Sequence, residues 1–156
     1  MAAFPNKSIV MFSFGFIAYT LIEQFYRQYT FFWSGVLGGL SIILLDKIND
    51  EISWDLDLFW QAVIGGVIVT TMEFFVGFIA KYTNIFPVMW DYSNLPYNID
   101  GIICLYFSLA WIALSVIAIF MADAINYYLF DDIIVPHYIL FGKIKFSFPK
   151  RKDKND

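Results

Sequence analysis

LFWQAVIGGVIVTTMEFFVGFIA, residues 58–80, is an apolar run broken by one ionisable side chain, Glu73. As a helix rising 1.5 Å per residue it reaches about 34 Å, enough to cross a hydrocarbon core of about 30 Å with some tilt. A carboxyl group at that depth costs a few kcal/mol, so it needs a partner or a task. The spacing says where it points. Ala62, Gly66, Thr70, Glu73 and Gly77 share one helical face, where small residues let another backbone approach. Ile64, Val67, Ile68, Phe75 and Phe78 lie on the other side and suit lipid. The run predicts a membrane span that turns Glu73 into a bundle.

Composition agrees. Of 156 residues, 60% are hydrophobic and 15% charged, and the mean hydropathy is +0.64. A soluble domain of this size has too little interior for that much apolar surface. Aromatics reach 21%, and the net charge of -4 argues against nucleic acid as a partner. A single cysteine, Cys104, excludes an intramolecular disulfide and a cysteine-based zinc site. A single histidine, His137, excludes a multi-histidine metal cluster. Phosphate-loop, nucleophile-elbow and zinc-protease motifs are missing, so the chain carries no catalytic or ATP-binding signature, and no cofactor is expected.

Three further runs are long enough to span, over residues 8–26, 31–48 and 101–122. The first reads as an uncleaved span, because no small-residue cleavage pattern follows it. The second is purely apolar only to Leu45. A few residues around Gln28 join the first two, which predicts an antiparallel helical hairpin. The fold class expected is therefore all-α: a polytopic membrane protein with a compact bundle of four transmembrane helices. Residues 133–141 are too short to cross and contain Pro136. A short interfacial helix is expected within residues 126–142, followed by a basic cytoplasmic tail over 143–156. Lys7, Lys47 and the tail cations Lys143, Lys145, Lys150, Arg151, Lys152 and Lys154 fall on one side, with only Arg27 and Lys81 on the other. The asymmetry places both termini in the cytoplasm at the cell membrane. Asp46, Asp50, Glu51, Asp55 and Asp57 make an acidic loop on that side, read as a solvated charge run.

Polar groups converge on the outer half of the bundle. Glu23 and Arg27 are four apart with the acid first, the favourable order for a helical pair. Glu73 comes from the third span and Ser108 from the fourth. Two readings of Glu73 stand side by side: a tether to a neighbouring helix or Arg27, and a proton- or cation-linked site that meets a polar substrate. The loop Trp90-Asp91-Tyr92-Ser93-Asn94-Leu95-Pro96-Tyr97-Asn98-Ile99-Asp100-Gly101 also has two readings. Asp91 can cap a turn, and Asn98 or Asp100 can cap the fourth helix. Alternatively, Trp90, Asp91, Tyr92 and Asn98 form a lid over the polar centre.

Several of these strings resemble the CmpB-like family described as "putative ABC-transporter type IV". They are residues 21–27 with Gly35, Gly38 and Gly39, Glu73 to Gly77, the loop from Trp90 to Asn98, Gly101 to Leu105 with Ser108, and Pro136-His137-Tyr138. The chain departs from the family at Thr30-Phe31-Phe32-Trp33, where members often carry a histidine before the tryptophan. No role for that histidine carries over. The resemblance implies a small multi-pass permease-like protein. A transporter component is expected, with a second copy or a partner membrane subunit in the lipid bilayer and a separate ATPase for ATP-driven work. A membrane scaffold or regulatory subunit is the second expectation, and an intramembrane lipid-modifying enzyme the third.

Overall fold

A computed structural model describes residues 6–151, apart from the side chains of Asn49 and Asp50. The elements in chain order are α1 (Lys7–Arg27), α2 (Phe32–Asp46), the single-turn α3 (Ile48–Glu51), α4 (Leu58–Thr83), β1 (Asn98–Ile99), β2 (Ile103–Cys104), α5 (Leu105–Leu129), β3 (His137–Leu140) and β4 (Ile144–Ser147). The protein is mostly helical. α1, α4 and α5 are long and apolar enough to cross a membrane, while α2 is a shorter apolar helix of 15 residues. Its length is about 22 Å, below the thickness of a bilayer core.

Helix ends follow local chemistry. The Asn6 side chain accepts from Ser8 N–H at 2.9 Å and starts α1. Gln28, at φ 65°, ends it by returning its N–H to Gln24. Asp57 starts α4 by accepting from Phe59 N–H at 2.9 Å, and its other oxygen holds Gly142 N–H at 2.6 Å. The acidic loop is therefore not uniformly solvated. Asp57 is a cap, and Asp46 is buried, meeting Lys7 at 3.0 Å and Asn126 at 2.5 Å.

α2 is the inner helix, with Ser34, Gly35, Leu37, Gly38, Gly39, Ser41, Ile42, Leu45 and Asp46 all buried. α1 lies along it as an antiparallel hairpin, and α5 lies along α4. α2 also touches α4 and α5, whereas α1 and α5 scarcely meet. A cleft is left between α1 and α5. The surface has the polarity of a chain solvated by lipid: Phe75 is 59% exposed while Glu73 is 0% exposed. Val67 and Phe78 are exposed as the sequence predicts. Ile64 and Ile68 instead pack against Leu45, Ile48 and Val69.

Close packing of α1 on α2 depends on Gly15 of α1 and on Gly35, Gly38 and Gly39 of α2. A Cβ at Gly38 would lie 2.3 Å from Tyr19 Cβ and 2.6 Å from the Gly15 carbonyl oxygen. Backbone cannot yield there, so Gly38→Ala should destabilise the protein by about 1–3 kcal/mol through overpacking. Thermal unfolding in detergent checks this, with Leu40→Ala, on the exposed side of α2, expected to melt like the parent.

Two expectations need correction. The fourth span does not begin at Gly101. Residues 98–104 form a small antiparallel hairpin, with Ile99 opposite Ile103 and its turn at Asp100 (φ 54°) and Gly101 (φ 67°). α5 begins after it and continues past Ala122 to Leu129. Asp123 and Asn126 sustain that extension because Tyr138 O–H reaches Asp123 at 2.7 Å and Asn126 reaches Asp46. The second correction concerns residues 126–142, expected as an interfacial helix. They hold the end of α5 and then β3, which pairs with β4 in the register Tyr138↔Phe146 and Leu140↔Ile144. Phe141 and Gly142 turn the hairpin with positive φ. Tyr138 anchors it beneath Phe120 with ring centroids 4.5 Å apart. The described part of the basic tail is therefore fastened down, and Arg151 reaches the Tyr127 carbonyl at 2.5 Å and Asp131 at 2.8 Å. Lys152 and Lys154 lie outside the described residues.

Candidate functional site

Glu73 is held by neutral donors. Tyr92 O–H meets its Oε1 at 2.9 Å and Trp111 Nε1–H its Oε2 at 3.0 Å. One carboxyl group thus joins α4, the loop before β1, and α5. Tyr19 of α1 stacks on Trp111 at 5.5 Å, and Phe107 stacks on Tyr92 at 4.6 Å.

Beside this cluster the Glu23–Arg27 pair forms at the end of α1, as the four-residue spacing predicts. Arg27 also donates to the Met89 carbonyl at 2.5 Å, and its guanidinium lies 5.1 Å over the Tyr29 ring. Glu23 accepts from Thr30 O–H at 2.8 Å. Both side chains are mostly enclosed, at 17% and 9% exposure for Arg27 and Glu23.

A cavity of about 290 Å³ opens between the pair and the cluster, bordered by Glu23, Arg27, Trp90, Tyr92 and Trp111 among others. Glu73 lies behind Tyr92 and Trp111. Below it, a second cavity of about 130 Å³ runs down the α1/α5 cleft between apolar side chains such as Phe14, Ala18 and Ile42. The two share Tyr19, Ile22, Trp111 and Leu114, so they form one cleft with a polar upper end.

The loop is cross-linked to itself and to the helices. Trp90 Nε1–H donates to the Ile102 carbonyl at 2.8 Å. Asp91 accepts from Ser93 N–H at 2.9 Å, which holds its carboxyl below the ordinary range. Asn98 bonds Leu95 O at 2.6 Å and Gly101 N–H at 2.9 Å, so it caps the hairpin turn and not α5. Asp100 meets Lys81 at 2.8 Å and Tyr82 at 2.5 Å. Lys81 first and Tyr82 second keep the Asp100 carboxyl low. The Tyr92 hydroxyl is pushed well up, chiefly by burial and then by the Glu73 carboxylate.

Of the residues singled out in the sequence, Glu23, Arg27, Trp90 and Tyr92 meet at the cavity, with Glu73 one side chain behind. Asp91 and Asn98 use polar atoms within the loop. Ser108 is neither a partner of Glu73 nor a wall of the cavity. The direct partner of Glu73 that the sequence does not single out is Trp111, three positions further along α5. Its signal is a face shared with Ser108 and Ser115, the latter bonded to the Trp111 carbonyl at 2.7 Å.

Among known proteins, no curated sequence and no solved structure matches this chain. A family model described as "Putative ABC-transporter type IV" matches residues 4–142, and the chain belongs to that family.

Proposed function

We propose that this chain is the membrane component of a transporter and that the cavity between the Glu23–Arg27 pair and the Tyr92–Trp111 wall is its ligand site. The observation that carries the reading is the cavity itself. A cleft of about 290 Å³, edged by an ion pair and walled mostly by apolar and aromatic side chains, is the concave form that ligand sites take. The hydrogen bonds of Glu73 support a proton- or cation-linked role. An indole can only donate, so Oε2 accepts from Trp111 whatever the charge of the carboxyl group. A phenol donates or accepts, so Tyr92 can serve the ionised or the protonated acid.

Lys and Arg asymmetry supports a cell-membrane orientation with both termini cytoplasmic, which puts the cavity in the outer half. A bundle of this size calls for a second copy or a partner subunit. ATP-driven work requires a separate ATPase, since this sequence has no phosphate-binding loop.

A scaffold or regulatory subunit is the second reading, favoured by the complete enclosure of Glu73. Thiol labelling separates the two. In a Cys104→Ala background, Ala110→Cys at the cavity wall should react with a water-soluble maleimide in lipid nanodiscs. Val67→Cys, on the outer face of α4, should not. An Ala110→Cys variant as inert as Val67→Cys would leave a closed bundle and favour the scaffold.

A further inference from the structure

We propose that the cavity takes hydrophobic organic cations. A quaternary ammonium or phosphonium centre would sit at its upper end, with apolar substituents running down the α1/α5 cleft. This assignment of ligand class rests on the transporter reading above.

Three observations converge on it. The first is the wall. Tyr19, Tyr26, Trp90, Tyr92, Phe107 and Trp111 all line the upper cavity. A ring that turns its face to a cavity attracts a cation through its quadrupole, and alkylated cations suit such sites because little water is lost from them.

The second is the charge count. Two carboxyl groups, Glu23 and Glu73, are set against one guanidinium, that of Arg27. Arg27 is already engaged with Glu23, the Met89 carbonyl and the Tyr29 ring. The direct partners of Glu73 are a phenol and an indole, which satisfy its oxygens without cancelling its charge. An ionised carboxylate in that setting is stabilised by a cation in the adjoining cavity. An anion would have to take Arg27 away from its present partners.

The third is the shape. The upper cavity continues into the apolar lower one through Tyr19, Ile22, Trp111 and Leu114. Because α1 and α5 scarcely touch, the cleft has room for bulky apolar groups attached to the charged centre. A small hydrated ion would leave that part unfilled.

Tetraphenylphosphonium and tetraphenylborate have nearly the same shape and opposite charge, which makes them the probes. Equilibrium dialysis against the full chain in nonionic detergent should give saturable binding of the phosphonium and none of the borate. Glu73→Gln should weaken phosphonium binding about tenfold, the scale of one desolvated charge interaction. If that variant fails to fold, Phe107→Leu, which removes a ring and no hydrogen bond, should weaken it about fivefold. Equal or stronger borate binding, or phosphonium binding unchanged by whichever of these variants folds, overturns the proposal. Absence of binding by either ion, with Ala110→Cys still labelled from water, removes the cation assignment and leaves the transporter reading. An unlabelled Ala110→Cys removes both.

Discussion

Arg27→Ala should sharply lower the yield and melting temperature of the protein in detergent. Arg27 is the cationic partner of Glu23, whose side chain is only 9% exposed. Without it, Glu23 keeps the Thr30 hydroxyl at 2.8 Å and no neutralising charge. Removing one member of a buried pair costs about 3–5 kcal/mol, because the other charge stays behind. The 17% exposure of Arg27 admits some screening and puts the expectation at the lower end of that range. Loss of the bond to Met89 adds to it, since that carbonyl fastens the loop to α1. A total stability of about 5–15 kcal/mol cannot absorb such a loss without a clear fall in melting temperature.

The charge explanation can be separated from lost packing. Adding Glu23→Gln to Arg27→Ala removes the stranded charge and should recover most of the lost stability, a non-additive result that only coupled residues give. A double variant no more stable than Arg27→Ala would assign the effect to packing around the Arg27 stem. Wild-type melting by the single variant would show that the pair contributes nothing to the fold.

How far the sequence could reach is visible in particular residues. The inward direction of Glu73 was readable because small residues recur on its face at helical spacing, and that periodicity survives any tertiary arrangement. Glu23 and Arg27 were readable for the same reason, since their contact lies within one helix. The partners of Glu73 were not. Trp111 lies 38 positions away, and an indole in an apolar span has the same local signature whether it faces lipid, core or a buried acid. Ser108 looked the better candidate by polarity alone. Hydrophobicity and Pro136 mark residues 133–141 only as too short to cross, and they conceal the 137–147 hairpin. Gly142 between two short runs rich in β-branched and aromatic residues is the hairpin signal. Polar Asp123 and Asn126 look like the end of a span, yet α5 continues through them to Leu129. Their partners, Tyr138 and Asp46, come from distant segments.

Glu73→Ala should destabilise the protein on a similar scale to Arg27→Ala, for a different reason. Ala takes both acceptor oxygens away and leaves the Tyr92 hydroxyl and the Trp111 indole N–H without partners beside an emptied site. Each stranded donor costs about 1–3 kcal/mol, so the pair together costs about 2–6 kcal/mol. The space vacated by the side chain adds to that cost. Glu73→Gln behaves differently on geometric grounds. Its carbonyl oxygen accepts from Trp111, and its amide donates to the Tyr92 oxygen, which reverses its role. The Gln variant should therefore melt close to wild type while carrying no charge, and Trp111→Phe should fall between the two. Measured together, the three melting temperatures weigh hydrogen bonding against charge at this position. The order Ala, Trp111→Phe, Gln, rising toward wild type, assigns the fold to the hydrogen bonds and leaves the charge free for a ligand. A Gln variant as unstable as Ala would mean that the carboxylate itself holds the bundle, and Glu73 would then be a tether.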